Sequence, residues 1–217
     1  KAIENFKKCL ELNPKSVESY NNLGSVYRYS GQYEKAIKYY QKGIKINGNF
    51  FKIRKNFGLL MLLLSNFEQG FEEFEWRIKE KSKKEYSNIK LKSELWQGEN
   101  LNKKSILILS EQGFGDIIHF ARYIYELEER YDVKIIFRTH KNLIHLFDKS
   151  NILIIDNEKN IPEHDYHVYI MSLANFYYQK EKKLLNQYYF INKNNVIYSK
   201  WKKILVKINT PKVGIYW

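Results

Sequence analysis

The stretch "KKSILILSEQGFGDIIHFARY", residues 103–123, marks a change of pattern in this 217-residue chain. Its apolar part, "SILILS" (105–110), is a short run between polar residues, which is typical of a strand buried on both faces. A loop with two glycines and an acid follows, and apolar residues then recur at the three- and four-residue spacing of a helix. The stretch therefore predicts a strand, a turn and a helix that begins near Asp116.

The same alternation continues towards the C-terminus. Apolar runs at 133–139, 152–156 and 166–173 predict further strands, and a helical segment at 141–150 lies between the first two runs. Strands that alternate with helices over short loops predict a parallel sheet with both faces covered. Region 105–217 is therefore predicted to be a Rossmann-like domain, in which ligands bind at the carboxyl ends of the strands.

The first eighty residues follow a different rule, because they repeat at an offset of 34 residues. In the central unit, residues 17–48, small and apolar residues recur at helical spacing on both sides of a break at Gly31. Gly24 and Ala36 are predicted to let two antiparallel helices approach closely, and Gly31 is predicted to permit the turn between them.

This pattern resembles the tetratricopeptide repeat. The resemblance implies the second helix of one repeat at about residues 1–13, a complete repeat at 17–48 and a divergent third repeat at 51–79. We expect a domain of about two and a half such repeats at 1–80, followed by a lysine-rich linker at 81–104. These repeats present a concave surface to peptides and proteins, so the resemblance implies a protein or peptide partner.

The third repeat departs from the pattern. Arg54 replaces the first aromatic residue, Met61 replaces a tyrosine, Gly70 replaces an alanine, and Gly48 stands where proline is usual. The chain also begins within a repeat, so we expect further repeats before Lys1.

Composition limits the possible partners. The formal net charge is +13, but the lysines are spread along the chain and the densest basic stretch, 79–92, also carries glutamates. We therefore expect a solvated basic surface and no nucleic acid partner. The longest apolar run, "LLMLLL" (59–64), is far shorter than the roughly 18 residues of a membrane span, so none is expected. The single cysteine, Cys9, excludes an internal disulfide framework and fits a reducing, cytoplasmic location.

The loop "EQGFGD", residues 111–116, lies where an open α/β sheet binds its ligand. A dinucleotide fingerprint needs a third glycine where Ile118 stands, and a phosphate-binding P-loop needs a Gly-Lys-Ser/Thr that the sequence lacks. Asp116 also disfavours both, because its charge would repel a phosphate at the helix N-terminus. Two roles for Asp116 remain open: a carboxylate that acts on a substrate hydroxyl, and an N-cap that accepts hydrogen bonds from first-turn amides.

The neighbours of Asp116 are candidates for contact with the substrate. Gly113 and Gly115 are predicted to let the backbone turn sharply and to leave room for a ligand. His119 lies one helical turn from Asp116, where it could pair with Asp116, touch the substrate or remain solvated. The candidate substrate-binding residues are Glu111, Gln112, Gly113, Phe114, Gly115 and His119.

Segment 96–123 resembles bacterial proteins that join tetratricopeptide repeats to a glycosyltransferase domain related to the heptosyltransferases (glycosyltransferase family 9). Further similarities are "FEEFEWRIK" (71–79), "DYHVYIMSL" (165–173) and "KVGIYW" (212–217). The resemblance implies that 105–217 is the N-terminal half of a GT-B fold. In that fold the N-terminal half holds the sugar acceptor and a C-terminal half binds the nucleotide-sugar.

The resemblance also implies a reaction. In the heptosyltransferases a Gly-Asp pair in this first loop supplies the aspartate proposed as the base, and the matching residue here is Asp116. The reaction would be sugar transfer from a nucleotide-sugar to an acceptor hydroxyl, with inversion and without a metal, to which a general base contributes roughly 10²–10⁴ in rate. The nucleotide-sugar is a substrate, so no cofactor is expected. His164 and His167 are spaced like metal ligands, but no further cluster joins them, so no metal is expected.

The chain ends where such proteins begin the second half of the fold. We therefore expect a fragment of a longer product, or a degenerate form, that is inactive alone. The alternative is a non-catalytic interaction scaffold, in which the repeats are the working surface and the α/β region is a platform.

Overall fold

The structure is a computed structural model that describes residues 1–81, 91–111, 113–147, 151–157 and 159–186, together with 199, 202–203 and 206. The chain forms two compact units. The first comprises residues 1–92 and 174–184, and the second comprises residues 93–173 and 185–217. Two features named above, Gln112 and the terminal "KVGIYW", lie outside the described residues.

The first unit begins with helices that follow one another in antiparallel pairs. They are α1 (Ala2–Leu12), α2 (Val17–Tyr29), α3 (Tyr33–Ile46), α4 (Phe51–Leu63), α5 (Phe67–Phe74) and α6 (Arg77–Lys81). The side chains of Ser16 and Asn66 accept hydrogen bonds from first-turn amides of α2 and α5, which fixes where these helices begin. Gly31 turns the chain between α2 and α3 with a φ of +73°, which only glycine adopts readily.

Glycines at the helix contacts set the distance between paired helices. A Cβ atom at Gly24 would lie 2.5 Å from the Tyr40 ring, and a Cβ atom at Gly58 would lie 2.5 Å from the backbone nitrogen of Phe74. Both distances are too short for real carbon contacts, so the close packing of α2 on α3 and of α4 on α5 requires glycine. The buried residues between these helices are Val17, Leu23, Tyr27, Ala36, Tyr40, Ile53, Phe57, Leu60 and Met61. The predicted hairpins, with the close approach at Gly24, are confirmed.

The third repeat replaces the missing aromatic residue with a charged network. The Arg54 Nη1 donates hydrogen bonds to both carboxylate oxygens of Glu73, at 2.8 and 3.0 Å, and the Arg54 Nε donates to the Gly48 carbonyl. The guanidinium carbon of Arg54 lies 4.5 Å from the centre of the Trp76 ring. The arginine therefore links α4 to the end of α3 and to α5, as an aromatic side chain would by packing.

The second unit is built on a sheet of five parallel strands in the order β1-β5-β2-β3-β4. The strands are β1 (Glu94–Leu95), β2 (Lys104–Leu109), β3 (Val133–Thr139), β4 (Leu153–Asp156) and β5 (Tyr166–Tyr169). Residues 106–109 of β2 are all buried, which confirms the predicted strand with both faces covered. The predicted fold class, helical repeats followed by a parallel-sheet domain, is confirmed.

The connecting helices differ in detail from the prediction. The single helix predicted to begin near Asp116 is divided at Ala121 into α7 (Phe114–Phe120) and α8 (Arg122–Arg130). The segment after β3 forms a 3-10 helix, Lys141–Leu146. None of the helices in the described parts of the chain is long and apolar enough to cross a membrane.

The two units do not follow the predicted borders. The predicted linker, 81–104, contains β1 and the buried Trp96, whose backbone N–H donates to the His167 carbonyl at 2.8 Å. A further helix, α9 (Ser172–Glu181), follows β5, and from Ala174 onward its residues belong to the first unit. There the Tyr178 ring lies 5.8 Å from Phe67 and 5.5 Å from Phe71, both on α5. Tertiary contacts, rather than local pattern, place both segments.

Candidate functional site

The strand order places a reversal of chain direction beside β2. The chain proceeds from β2 to β3 and β4 on one side, and then crosses to β5 on the other side of β2. The connections that follow β2 and β5 therefore diverge, and open α/β sheets bind ligands at the carboxyl edge beside such a switch point. The loop after β2 contains the candidate residues 111–116.

Asp116 presents an exposed carboxylate at this edge. It stands in the first turn of α7, whose N-cap residue is Gly113. Among the described residues, none donates a hydrogen bond to the Asp116 carboxylate. Its Oδ2 lies 4.0 Å from the position that a Cβ atom on Gly113 would occupy. The carboxylate therefore does not cap the α7 amides and remains available to a ligand.

The two glycines of the loop provide space rather than an unusual backbone. Gly113 has a φ of −80° and a ψ of 170°, and Gly115 is not among the described residues with positive φ. Among the described residues, nothing lies within 4 Å of a Cβ atom placed at Gly115, and only the Asp116 carboxylate lies within 4.0 Å of one placed at Gly113. The sharp turn predicted for these residues is therefore achieved with an ordinary conformation, and the missing side chains leave the surface beside Asp116 open.

Glu111 lies beneath this surface, with 3% of the side chain exposed. Its carboxylate accepts a hydrogen bond from the Met171 N–H at 3.1 Å, and the Ile170 N–H donates to the Leu109 carbonyl at 3.0 Å. Glu111 therefore joins the loop after β2 to the loop after β5, at the switch point itself. This position makes Glu111 a support for both loops, and its contact with a substrate stays a prediction.

His119 contacts Arg122 rather than Asp116. The His119 Nε2 lies 2.6 Å from the Arg122 Nη2, which donates the hydrogen bond. Burial is the main cause that lowers the pKa of His119, the positive charge of Arg122 lowers it further, and the negative charge of Asp116 opposes both. Neutral His119 is therefore favoured, and its contact with the acceptor stays a prediction.

His140 and Asn157 join this edge although the sequence patterns do not predict them. The Asn157 Nδ2 lies 3.5 Å from the His140 Nδ1, and the His140 ring centre lies 5.1 Å from the ring centre of Phe114. Each residue follows directly after an apolar strand, β3 for His140 and β4 for Asn157. The carboxyl ends of neighbouring parallel strands meet at one edge of a sheet. The position of these two residues directly after a strand is therefore the sequence signal that could have identified them.

The two histidines considered as metal ligands lie near the start of β5 and have other partners. The His167 Nδ1 is 2.9 Å from the Ser93 Oγ, and the His164 Nδ1 is 2.7 Å from the Pro162 carbonyl oxygen. Within the described ranges, no three His, Cys, Asp or Glu side chains are grouped closely enough to hold a metal ion. Burial first, and then the charge of His164, lowers the pKa of His167, while the bond to Ser93 opposes them.

Comparison with known proteins concerns mainly the helical unit. Residues 17–50 match the tetratricopeptide repeat model. A UDP-N-acetylglucosamine–peptide N-acetylglucosaminyltransferase of Giardia intestinalis is 33% identical over 73 residues, covering 34% of this chain and 5% of that protein. The tetratricopeptide repeat-containing protein trd-1 of Caenorhabditis elegans is 32% identical over 79 residues, covering 33% of this chain and 10% of that protein.

The chain thus spans a tenth or less of the length of these two relatives. Among solved structures, a mutant of Thermobaculum terrenum O-GlcNAc transferase aligns over 64% of this chain and 33% of its own, with a TM-score of 0.35 and 12% identity. The helical unit contains a tetratricopeptide repeat and is similar to the repeat regions of O-GlcNAc transferase-like proteins.

Proposed function

We propose that the helical unit binds an extended segment of a partner protein across helices α2 and α4. Residues at helical spacing form one stripe on each helix, and the second stripe lies 34 positions after the first. No residue of either stripe is fully buried. The α2 stripe is Glu18, Asn22, Ser25 and Tyr29, and the α4 stripe is Lys52, Asn56, Leu59 and Leu63.

Side-chain amides connect the two stripes. The Asn56 Nδ2 donates to the Asn21 Oδ1 at 2.9 Å, and the Asn21 Nδ2 lies 3.4 Å from the Asn22 Oδ1. This chain of bonds leaves the Asn22 amide nitrogen and the Asn56 carbonyl oxygen without partners among the described residues. One is a donor and the other an acceptor, so together they suit the N–H and C=O groups of an extended peptide. This juxtaposition is the observation that carries the proposal.

The ends of the stripes add apolar contact. Tyr29 is 81% exposed and Leu63 is 57% exposed, and they occupy equivalent positions of successive repeats. Large exposed apolar side chains beside hydrogen-bonding groups are typical of protein-binding surfaces. The Giardia relative, whose name gives a peptide as its substrate, supports the same type of partner.

Selection from a displayed library of random dodecapeptides tests this proposal. Selected peptides should bind the Asn22→Ala/Asn56→Ala variant about tenfold more weakly, because two hydrogen bonds of about 0.5–1.5 kcal/mol each are lost. Lys38→Ala, an exposed change on α3, is the matched control and should leave binding unchanged. Peptides that bind all three proteins equally would contradict the proposal.

A second function, sugar transfer, is favoured by the exposed and uncapped carboxylate of Asp116. We propose that the second unit is the acceptor-binding half of a GT-B glycosyltransferase related to the heptosyltransferases. Asp116 takes the proton of the acceptor hydroxyl, while the oxygen of that hydroxyl forms a bond to the anomeric carbon of the donor sugar. The bond from that carbon to the nucleotide phosphate oxygen breaks at the same time, so the configuration inverts and no metal is required.

A transfer assay tests this second function. The protein is taken as its natural gene encodes it, including whatever lies beyond residue 217, and is assayed with a panel of labelled nucleotide-sugars. Asp116→Asn should lower kcat by roughly 10²–10⁴, because the amide cannot accept the proton. Wild-type kcat in this variant would exclude Asp116 as the base. Absence of transfer in the parent protein would favour the non-catalytic scaffold.

A further inference from the structure

Phe114, which stands two residues before Asp116 in the chain, and His140 form a surface that is partly apolar and partly polar. Their ring centres are 5.1 Å apart and their planes are inclined by 57°. Phe114 nevertheless remains 44% exposed, so the histidine covers only part of the aromatic ring. A large exposed aromatic residue at the carboxyl edge of a parallel sheet is placed where a ligand would cover the remainder.

The contact with Asn157 favours one of the two neutral forms of the His140 ring. The Asn157 Nδ2 can only donate a hydrogen bond, and it lies 3.5 Å from the His140 Nδ1. Nδ1 is therefore the acceptor, and the proton of the neutral ring is on Nε2. Asn157 is itself held in place, because its backbone carbonyl accepts a hydrogen bond from the Arg138 guanidinium.

Three neighbouring strands bring these residues together. Phe114 follows β2, His140 follows β3 and Asn157 follows β4, and the three strands are adjacent and parallel. Elements of the sheet, rather than one flexible loop, thus fix the relative positions of an aromatic ring and an N–H donor. Sites that are built in this way hold a ligand with defined orientation.

We infer that His140 and Phe114 recognise the acceptor sugar, an inference that rests on the proposed transfer reaction. One face of a pyranose ring carries apolar C–H groups that pack on the exposed face of Phe114, while the His140 Nε2–H donates to a ring hydroxyl. Asn157 is a positioning residue, because its amide keeps the proton on Nε2. Another hydroxyl of the same sugar donates its proton to Asp116.

The charge of Asp116 favours a neutral sugar over a nucleotide on this surface. A nucleobase would also stack on Phe114, but the phosphates of its nucleotide would approach the Asp116 carboxylate and be repelled. An uncharged glycoside avoids this repulsion and offers hydroxyls that donate to the carboxylate.

Saturation-transfer NMR on the 217-residue chain tests the inference, with methyl β-D-glucopyranoside and methyl β-D-galactopyranoside as probes and uridine diphosphate for comparison. Transfer to the ring C–H protons of a glycoside is expected, with a dissociation constant of about 1 mM or weaker. Phe114→Ala should weaken binding about tenfold. Leu153→Ala is the matched control, because Leu153 begins β4 in the same unit and is 43% exposed, and it should leave binding unchanged.

The ¹⁵N spectrum of the His140 ring tests the role of Asn157 separately. The parent protein should show the proton on Nε2, and Asn157→Ala should give a mixture of both tautomers and about threefold weaker glycoside binding. A purely structural role of Asn157 would leave the tautomer unchanged, which would overturn its assignment as a positioning residue.

The outcomes separate this inference from the proposed function. No saturation transfer from either glycoside, unchanged binding in Phe114→Ala, or uridine diphosphate that binds more tightly at Phe114 would overturn the inference. If glycosides fail to bind while Asp116→Asn still lowers transfer, the recognition residues are wrong and Asp116 remains the base. If glycosides bind but Asp116→Asn transfers normally, the recognition residues stand and the base is wrong.

Discussion

Single residues show that glycine has two different roles in this chain. At Gly58 a Cβ atom would lie 2.5 Å from a backbone nitrogen of the neighbouring helix, so the helix pair depends on the absence of a side chain. At Gly115 a Cβ atom would meet nothing within 4 Å in the part of the chain that the structure describes, so the missing side chain leaves room at the surface. The first role concerns stability and the second concerns access to Asp116.

Gly58→Ala should lower the free energy of unfolding of the helical unit by about 1–3 kcal/mol, because backbone atoms of α5 cannot move aside as a flexible side chain would. The better helix propensity of alanine, about 1 kcal/mol, offsets only part of this cost. Urea unfolding followed by circular dichroism measures the change. Gly115→Ala is the matched control, and its stability should equal or slightly exceed that of the parent protein. An unchanged stability of Gly58→Ala would contradict the close approach of α4 and α5.

Pairs of elements show why the third repeat folds although its sequence departs from the pattern. The repeat model matches residues 17–50, whereas the structure continues the helical pairs through α4 and α5. Arg54 compensates for the lost aromatic residue through Glu73 and Trp76. Burial raises the pKa of Glu73 although the bonds from Arg54 lower it, so removing the arginine would leave a carboxylate in a place that disfavours its charge.

Arg54→Met should therefore lower the free energy of unfolding by about 1–3 kcal/mol, and the double variant Arg54→Met/Glu73→Met should recover part of this loss. A double-mutant cycle in urea measures the coupling between the two side chains. The control is Glu68→Ala, which removes an exposed ion pair with Lys182 and should change stability by less than about 1 kcal/mol. A double variant less stable than Arg54→Met would exclude the proposed compensation.

Elements also show how far the sequence predicts this structure. The strand β2 and the hairpin α2–α3 were predictable, because each has a strong period and a clear boundary. The division into α7 and α8 interrupts one continuous helical pattern and was not predictable, and the short strand β1 was not because it is defined by its pairing with β5. At the site, Asp116 was predictable from its position after β2, but the inward position of Glu111 depends on Met171, which lies 60 residues away in sequence.

The whole molecule is expected to respond to pH through two histidines, His119 and His167, whose surroundings disfavour the charged ring. Burial lowers the pKa of His167 and of His119 below the ordinary value of 6.5, so the folded protein takes up these protons less readily than the unfolded chain. The two histidines therefore do not reduce the free energy of unfolding above about pH 6.5. This free energy falls as the pH decreases from there towards their lowered pKa values. Asp165 affects stability at lower pH. Hydrogen bonds from Ser105 lower the pKa of its carboxyl below 3.8, and the stabilisation that they give is lost when the carboxylate is protonated.

Lowering the pH from about 7.5 to about 5.5 should reduce the urea midpoint of the second unit. His167→Gln should make this dependence shallower, because the variant has no proton to gain at that position. His145→Gln, at an exposed histidine of the same unit, is the control and should leave the dependence unchanged. An NMR titration of the His167 ring gives a direct answer: a pKa at or above 6.5 would contradict the prediction.

The path of α9 has a practical consequence for dissecting this protein. Its residues 174–184 complete the helical unit, where Tyr178 packs against Phe67 and Phe71. A protein truncated after residue 92 would contain the repeats without Tyr178, so the rings of Phe67 and Phe71 on α5 would be exposed. Such an exposed aromatic surface is prone to self-association. A monodisperse recombinant form of the repeats will therefore need residues 174–184 as well, for example fused after α6 through a short glycine-serine linker.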